Sequence, residues 1–280
     1  MARRIAAWAA LFLFVVGPAQ GEVLTRLSEG APLKIGYRED AAPFSYLSDL
    51  GQPTGFSIEL CGVIVSDLKQ ALGRPDLAVD FIPVGAEDRF AALQDGRIDL
   101  LCGATTATLS RRELVDFSIP TFIDGASVLY RKDGPADFES LAGNKVGVRG
   151  GTTTEAALRT TLSQLAVDAE VVSVSDHADG LAMLEGDELA AYFADQSILL
   201  FLIIESGAQD ELRLSERFFT REPYALALPR GDSDFRLFVD SSLSRLYRKS
   251  KVGDLFAKAF GQAEPSELVE SLYLINALPE

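Results

Sequence analysis

The chain has 280 residues, 48% of them hydrophobic and 24% charged, with a formal net charge of -15. That composition is globular, and the length suits two lobes of roughly a hundred residues each. The acidic balance argues against nucleic acid and anionic membrane surfaces as partners. An anionic small ligand remains admissible, because a few lining residues set a pocket's local field.

Arg3 and Arg4 precede an apolar run from Ile5 to Val16, followed by Gly17, Pro18 and the small residues Ala19 and Gly21 around Gln20. A basic start, an apolar middle and small residues at the end describe a cleavable secretory signal over residues 1–21. The run is too short to cross a bilayer, and no cysteine stands at the cleavage point to carry a lipid. The expectation is a soluble exported protein.

Leu33 to Tyr37 reads as a strand, and an amphipathic helix is predicted from about Ser57 to Leu72. Leu77 to Val84 alternates like a strand, Asp88 to Leu93 reads as a short helix stopped at Gly96, and Leu100 to Cys102 is a buried strand. This β-α-β-α-β order favours a mostly parallel sheet. After Cys102 come a Gly-Ala-Thr-Thr turn and a short helical start carrying Arg111 and Arg112.

A second unit repeats the plan. Lys145 to Val148 is a strand, Gly151 to Glu155 turns into a helix running to about Leu165, and Val171 to Val174 is a strand. A helix from Asp179 is stopped by Gly186, and Leu189 to Phe193 is a strand ending at Asp195. The apolar run Ile198 to Ile204 predicts a buried helix. Tyr224 to Leu228 reads as one further strand, and the segments near 123–130 and 220–228 suit two chain crossings between lobes. Helices bearing Phe235 to Tyr247 and Leu255 to Phe260 are expected to pack back on the first lobe.

Cys61 and Cys102 are the only cysteines. Cys61 falls on the inward face of the first long helix, and Cys102 on a strand that helix covers. The pair reads either as two buried thiols or, in an oxidising compartment, as a structural disulfide, and the disulfide is the expectation.

Two helix starts, near Thr106 to Arg111 and at Gly151 to Thr154, have the small residues, hydroxyls and free backbone N–H groups that attract a carboxylate. Arg111 can bind one through two parallel bonds. Asp195, an acid after a buried strand, needs either a cationic partner such as an ammonium group or a role as helix cap. Arg38, Arg89 and His177 stand at strand ends and a helix start, where solvated or structural roles are the ordinary alternatives. No metal cluster, nucleophile elbow or phosphate loop is present in the sequence.

Six segments in order carry a resemblance: GYREDAAPFSY (36–46), GFSIELC (55–61), DLLCGATTATLSRRELVDFSIP (99–120), VGVRGGTTTE (146–155), SDHAD (175–179) and FADQ (193–196). Over roughly 31–262 the chain resembles the periplasmic solute-binding proteins of family 3, nearest the glutamate/aspartate-binding branch. The resemblance implies a two-lobed, type II periplasmic-binding-protein-like α/β fold with two hinge strands and a ligand cleft between the lobes. Lobe 1 would comprise 22–122 and 225–280, lobe 2 would comprise 126–220, and the hinges would lie near 123–125 and 221–224. It further implies a monomer without cofactor that passes a polar, acidic amino acid to an ABC-importer permease in the periplasm.

Carried over from the family, Arg111 would clamp the α-carboxylate with Thr106 and Thr152, and Asp195 would take the α-ammonium. Arg38, Arg89 and His177 would meet the acidic side chain. Ala104 and Ala86 stand where that branch has serines, so Ala104 offers only backbone. Arg149 replaces a threonine, adding a cation that suits a second carboxylate. The alternatives are a periplasmic dehydratase on the same fold, with Glu155 or His177 as general acid, and the ligand-sensing subunit of a receptor or channel.

Overall fold

A computed structural model describes residues 23–279. The expected signal segment, residues 1–21, lies outside the described residues. The first unit runs α1 (Val23–Ser28), β1 (Leu33–Tyr37), three short strands β2 (Asp40–Ala41), β3 (Ser45–Leu47) and β4 (Pro53–Thr54), α2 (Phe56–Ala71), β5 (Val79–Pro83), α3 (Arg89–Gln94), β6 (Leu100–Cys102), α4 (Leu109–Arg112) and β7 (Asp116–Phe117). After β8 (Phe122–Asp124) the second unit follows: β9 (Ala126–Arg131), β10 (Lys145–Arg149), α5 (Thr153–Gln164), β11 (Glu170–Val174), α6 (His177–Glu185), β12 (Ala191–Asp195), α7 (Gln196–Ser206) and β13 (Leu212–Leu214). The chain then returns through β14 (Glu222–Tyr224) and β15 (Ala227–Leu228) to α8 (Ser233–Arg248), α9 (Val252–Phe260) and α10 (Glu267–Asn276).

Each unit is built on a five-stranded sheet, ordered β5-β1-β6-β15-β7 in the first and β11-β10-β12-β9-β13 in the second. The β5-β1-β6 and β11-β10-β12 halves are parallel; β15 joins the first antiparallel and β9 the second, with β7 and β13 as the edges beyond them. The central strands β6 and β12 are buried at every position, as helices on both faces of a parallel sheet require. Helix α2 buries Phe56, Ile58, Leu60, Cys61, Ile64 and Leu68, so Ile58, Cys61 and Leu68 of the expected inward face point inward while Val65 is only half-buried.

Three features differ from the sequence reading. The single strand expected at Tyr224 to Leu228 is two: β14 pairs with β8 in a separate two-stranded ribbon, and β15 joins the first sheet. The break falls at Ala225, whose N–H donates to Thr105 O (3.0 Å), so the strand changes partner there. The segment 123–130 likewise divides at Gly125, where a Cβ would stand 2.6 Å from Phe218 Cδ1 and 2.7 Å from Thr220 O. Helices α1 and α10 also lie beyond the elements read from the sequence. Ser266 caps α10, accepting from Val269 N, and Val269, Leu272 and Tyr273 are its buried face.

The first unit's core gathers an aromatic cluster in which Phe44 meets Phe122 at 4.9 Å and Tyr224 at 5.0 Å between ring centroids. Both ribbon strands are thereby anchored in the first unit's core. Cys61 on α2 and Cys102 on β6 are joined as a disulfide with Cα atoms 6.4 Å apart. The bond closes a loop with a sequence separation of 41, so it restricts the unfolded chain considerably. Its removal in a Cys61→Ala/Cys102→Ala variant is expected to lower the unfolding free energy by about 3 kcal/mol, measured by urea denaturation.

Candidate functional site

The carboxyl ends of the parallel strands of both sheets converge on one cleft, where open α/β sheets place their ligands. Arg38 follows β1, Ala104 and Thr106 follow β6, Arg149 ends β10 and Asp195 ends β12. With Arg89, Arg111, Thr152 and His177 they line a single cavity, so all nine positions singled out in the sequence face the same space. Its walls are close, leaving about 20 Å³ of free volume, room for about one water.

On the first unit, Arg38 is 2% exposed and its backbone is held by Ser45, whose Oγ accepts from Arg38 N (2.9 Å) and donates to Arg38 O (3.1 Å). Arg38 Nε donates to Asp40 Oδ1 at 2.7 Å. Arg89, the first residue of α3, is also 2% exposed. Its Nη1 donates to Ala86 O, its guanidinium lies 4.8 Å from the Phe90 ring centre, and its Nε has no acceptor among the described residues. Burial, then repulsion from Arg38 and Arg111, pulls its pKa well below the usual arginine value. Arg111 also lies over the Phe90 ring, 5.1 Å from its centre, and donates from Nη1 to Thr106 O at 2.9 Å. Burial lowers its pKa too, against the opposing pull of Glu222 and Asp195.

On the second unit, Thr152 caps α5, accepting from Glu155 N (3.1 Å) and donating to Arg149 O (2.7 Å). Arg149 is held by acids of the first unit: Nε donates to Asp40 Oδ2 at 2.7 Å and Nη1 to Glu87 Oε1 at 2.6 Å. The cation that the sequence offered for a second ligand carboxylate therefore already has carboxylate partners. His177 is 5% exposed and hydrogen-bonds through Nδ1 to Tyr192 Oη at 2.8 Å. Burial drives its pKa down to about 3, so it is neutral at physiological pH.

Asp195 accepts from Tyr224 Oη and from Thr154 Oγ1 (3.1 Å). It is not the side-chain cap of α7, so the capping alternative left open by the sequence does not apply. Burial, then the nearby charges of Asp124 and Glu222, raise its pKa to about 7. Asp124, paired across the ribbon with Glu222, is raised to about 6, chiefly by burial. Glu222 Oε2 accepts from Thr106 Oγ1 (2.6 Å) on one unit and Thr153 Oγ1 (2.9 Å) on the other.

Asp40, Glu87, Glu222 and Asp124 were not singled out in the sequence. Asp40 had a local signal, since alternate residues of extended chain share a face and it stands two after Arg38. Glu222 had none, because its partners lie 69 and 116 residues away. Glu155, weighed as a general acid, is outside the cavity lining and accepts from Arg159 (2.9 Å), Ser173 (2.8 Å) and Gly151 N (3.1 Å). Those bonds, that of Arg159 first, hold its carboxyl below the usual range. Among the described residues, no cluster of ligating side chains could hold a metal ion, and no helix is long and apolar enough to cross a membrane.

Residues 33–262 match the family model described as bacterial extracellular solute-binding proteins, family 3. The glutamate/aspartate import solute-binding protein of Salmonella typhimurium (strain LT2) is 29% identical over 249 residues, covering 89% of this chain and 82% of that one. The L-glutamate/L-aspartate-binding protein of Pseudomonas aeruginosa is 29% identical over 244 residues, covering 86% and 81%. In fold, the chain is similar to an ABC uptake transporter substrate-binding protein from Streptococcus pneumoniae with bound histidine, at a TM-score of 0.79 and 19% identity, covering 88% of this chain and 99% of that one. With sheet order, cleft and sequence in agreement, the chain belongs to the bacterial extracellular solute-binding proteins of family 3.

Proposed function

We propose that this protein captures an acidic amino acid of the glutamate/aspartate class outside the cytoplasm and presents it to the permease of an ABC importer. In this reading the described residues of 22–122 and 225–280 form one lobe and 126–220 the other, with hinges at 123–125 and 221–224 in the β8–β14 ribbon. The lobes part to admit ligand and close over it. Arg111 clamps the α-carboxylate, bordered by Thr106 and Thr152, with the backbone N–H groups at the N-terminus of α5 as further donors. Asp195 takes the α-ammonium. Arg89 receives the side-chain carboxylate, with Arg38 and neutral His177 beside it, and Ala104 contributes backbone.

The observation that carries this reading is Arg89: a buried guanidinium bonded only to a backbone carbonyl, with Nε lacking an acceptor. A buried cation of that kind is costly until an anion reaches it. The similarity to two glutamate/aspartate-binding relatives supports the same ligand class. Of the acids weighed for a dehydratase, Glu155 is tied up by Arg159 and His177 is neutral, which supports binding over turnover.

Calorimetric titration with glutamate, aspartate, glutamine and arginine is expected to show saturable binding of the acids and no response to arginine. Tight arginine binding without a glutamate response overturns the reading.

A further inference from the structure

Four guanidiniums enter one small cavity, yet they are not equivalent. Among the described residues, Arg89 and Arg111 donate only to backbone carbonyls, those of Ala86 and Thr106. Arg38 and Arg149 converge instead on one protein carboxylate, that of Asp40. Oδ1 accepts Arg38 Nε at 2.7 Å, and Oδ2 accepts Arg149 Nε at 2.7 Å. The Asp40 side chain is 8% exposed, and its acceptor oxygens are turned to cations on both sides. Burial by itself would raise its pKa, but the charge of Arg38, followed by the hydrogen bond and charge of Arg149, holds it below the ordinary aspartate value, so it stays a carboxylate.

Asp40 thus occupies the position that a ligand carboxylate would take between Arg38 and Arg149. Its setting makes this arrangement firm. β2 is pinned antiparallel to β3, with Asp40 opposite Tyr46, and Arg149 is fixed on its far side by Glu87 and its own neighbour Gly150 O. The contact also crosses between the units, joining residues 109 apart in the chain.

We propose that Asp40 is a specificity-determining residue: an internal carboxylate that engages Arg38 and, together with Glu87, offsets Arg149, leaving Arg89, which no carboxylate of the described residues reaches, as the main seat for a distal ligand carboxylate. The proposal rests on the reading of the ligand as an acidic amino acid and adds the element that limits how much negative charge the distal end accepts. Selectivity of this kind comes from a repulsive group as much as from an attractive one. Asp40 repels a distal carboxylate and withholds two cations from it, so the preference for glutamate over glutamine is held below what four arginines would otherwise produce.

The test is the ratio of glutamine to glutamate dissociation constants, measured by calorimetry on the wild type and two variants whose folding is followed by thermal melting. Asp40→Asn removes the repelling charge and frees Arg38 and the Nε edge of Arg149, which Glu87 still holds through Nη1, and the ratio is expected to rise about tenfold. Arg149→Gln leaves Asp40 with one cation fewer, and the ratio is expected to fall severalfold. Opposite shifts are the signature, because a purely structural bridge between the units would weaken both ligands together in both variants. Equal weakening of both ligands, or a ratio that stays constant, overturns the proposal. If Asp40→Asn does not fold, the direction of the Arg149→Gln shift decides. A wild type that binds another amino acid but neither glutamate nor aspartate overturns the ligand reading itself, and that result appears before any variant is compared.

Discussion

Arg111→Ala is expected to raise the glutamate dissociation constant by about 100-fold or more while leaving the melting temperature nearly unchanged. Arg111 stands over Phe90 at 5.1 Å with one amine on Thr106 O, which fixes the guanidinium toward the cavity. A ligand carboxylate enclosed without its counter-charge loses about 3–5 kcal/mol, the cost of breaking a buried pair, which corresponds to about two to three orders of magnitude in affinity. Stability should change little, because the side chain buries a charge beside Arg89 and its removal relieves that repulsion. Arg111→Lys should be intermediate, since an ammonium cannot make two parallel bonds to a planar carboxylate. Calorimetry on the three proteins gives the order, and wild-type affinity in Arg111→Ala would show that the α-carboxylate is held elsewhere.

Ligand capture should also weaken in acid and release protons as it occurs. Asp195 is paired with no cation; it accepts from two hydroxyls and faces Asp124 and Glu222, with Arg111 as the cation that it and Glu222 feel. Burial and those neighbouring carboxylates raise it to about 7, and Asp124 to about 6. At pH 8 Asp195 is ionised and ready for an ammonium group, whereas at pH 5.5 it holds a proton that binding must expel. Each unit below the folded value costs up to about tenfold, so affinity is expected to fall by about tenfold or more between pH 8 and 5.5.

The sign is opposite for the fold itself. Both folded values lie above the ordinary aspartate value of 3.8, so these groups favour the native state below that value and lose that contribution as pH rises through about 6 to 7. Acid therefore favours the ligand-free fold and disfavours the ligand. Calorimetry near pH 7 in buffers of different ionisation enthalpy should report proton release. Asp124→Asn, by removing one of the charges acting on Asp195, should shift the acid limb of the affinity profile downward. A flat profile from pH 5.5 to 8 would sink this linkage.

The two large effects differ in how they could have been foreseen. Arg111 was legible, because a strand end, a run of small and hydroxyl residues and an arginine form a contiguous local pattern. The acid cluster was not. Asp124 and Glu222 become neighbours only when β8 and β14 pair across almost a hundred residues of intervening second unit. The same limit explains the ribbon: an apolar run from Tyr224 to Leu228 has a single strand period, and nothing in that period tells which sheet each residue will join.

By itself the sequence determined the alternation of strands and helices, the strand-end turns bearing the cavity residues, the inward face of the helix that carries Cys61, and the family. Each depends on spacing within one element or on motifs in order, which the regular geometry of helix and strand converts directly into burial. Only the tertiary structure decided which charges meet. Arg38, Arg89, Arg111 and Arg149 look alike as arginines in a chain. They become two cations held by the carboxylates of Asp40 and Glu87 and two bound to backbone carbonyls because sheet order brings together groups as much as 109 residues apart. Charge pairing depends on distance in space and on burial, and neither is written in local periodicity.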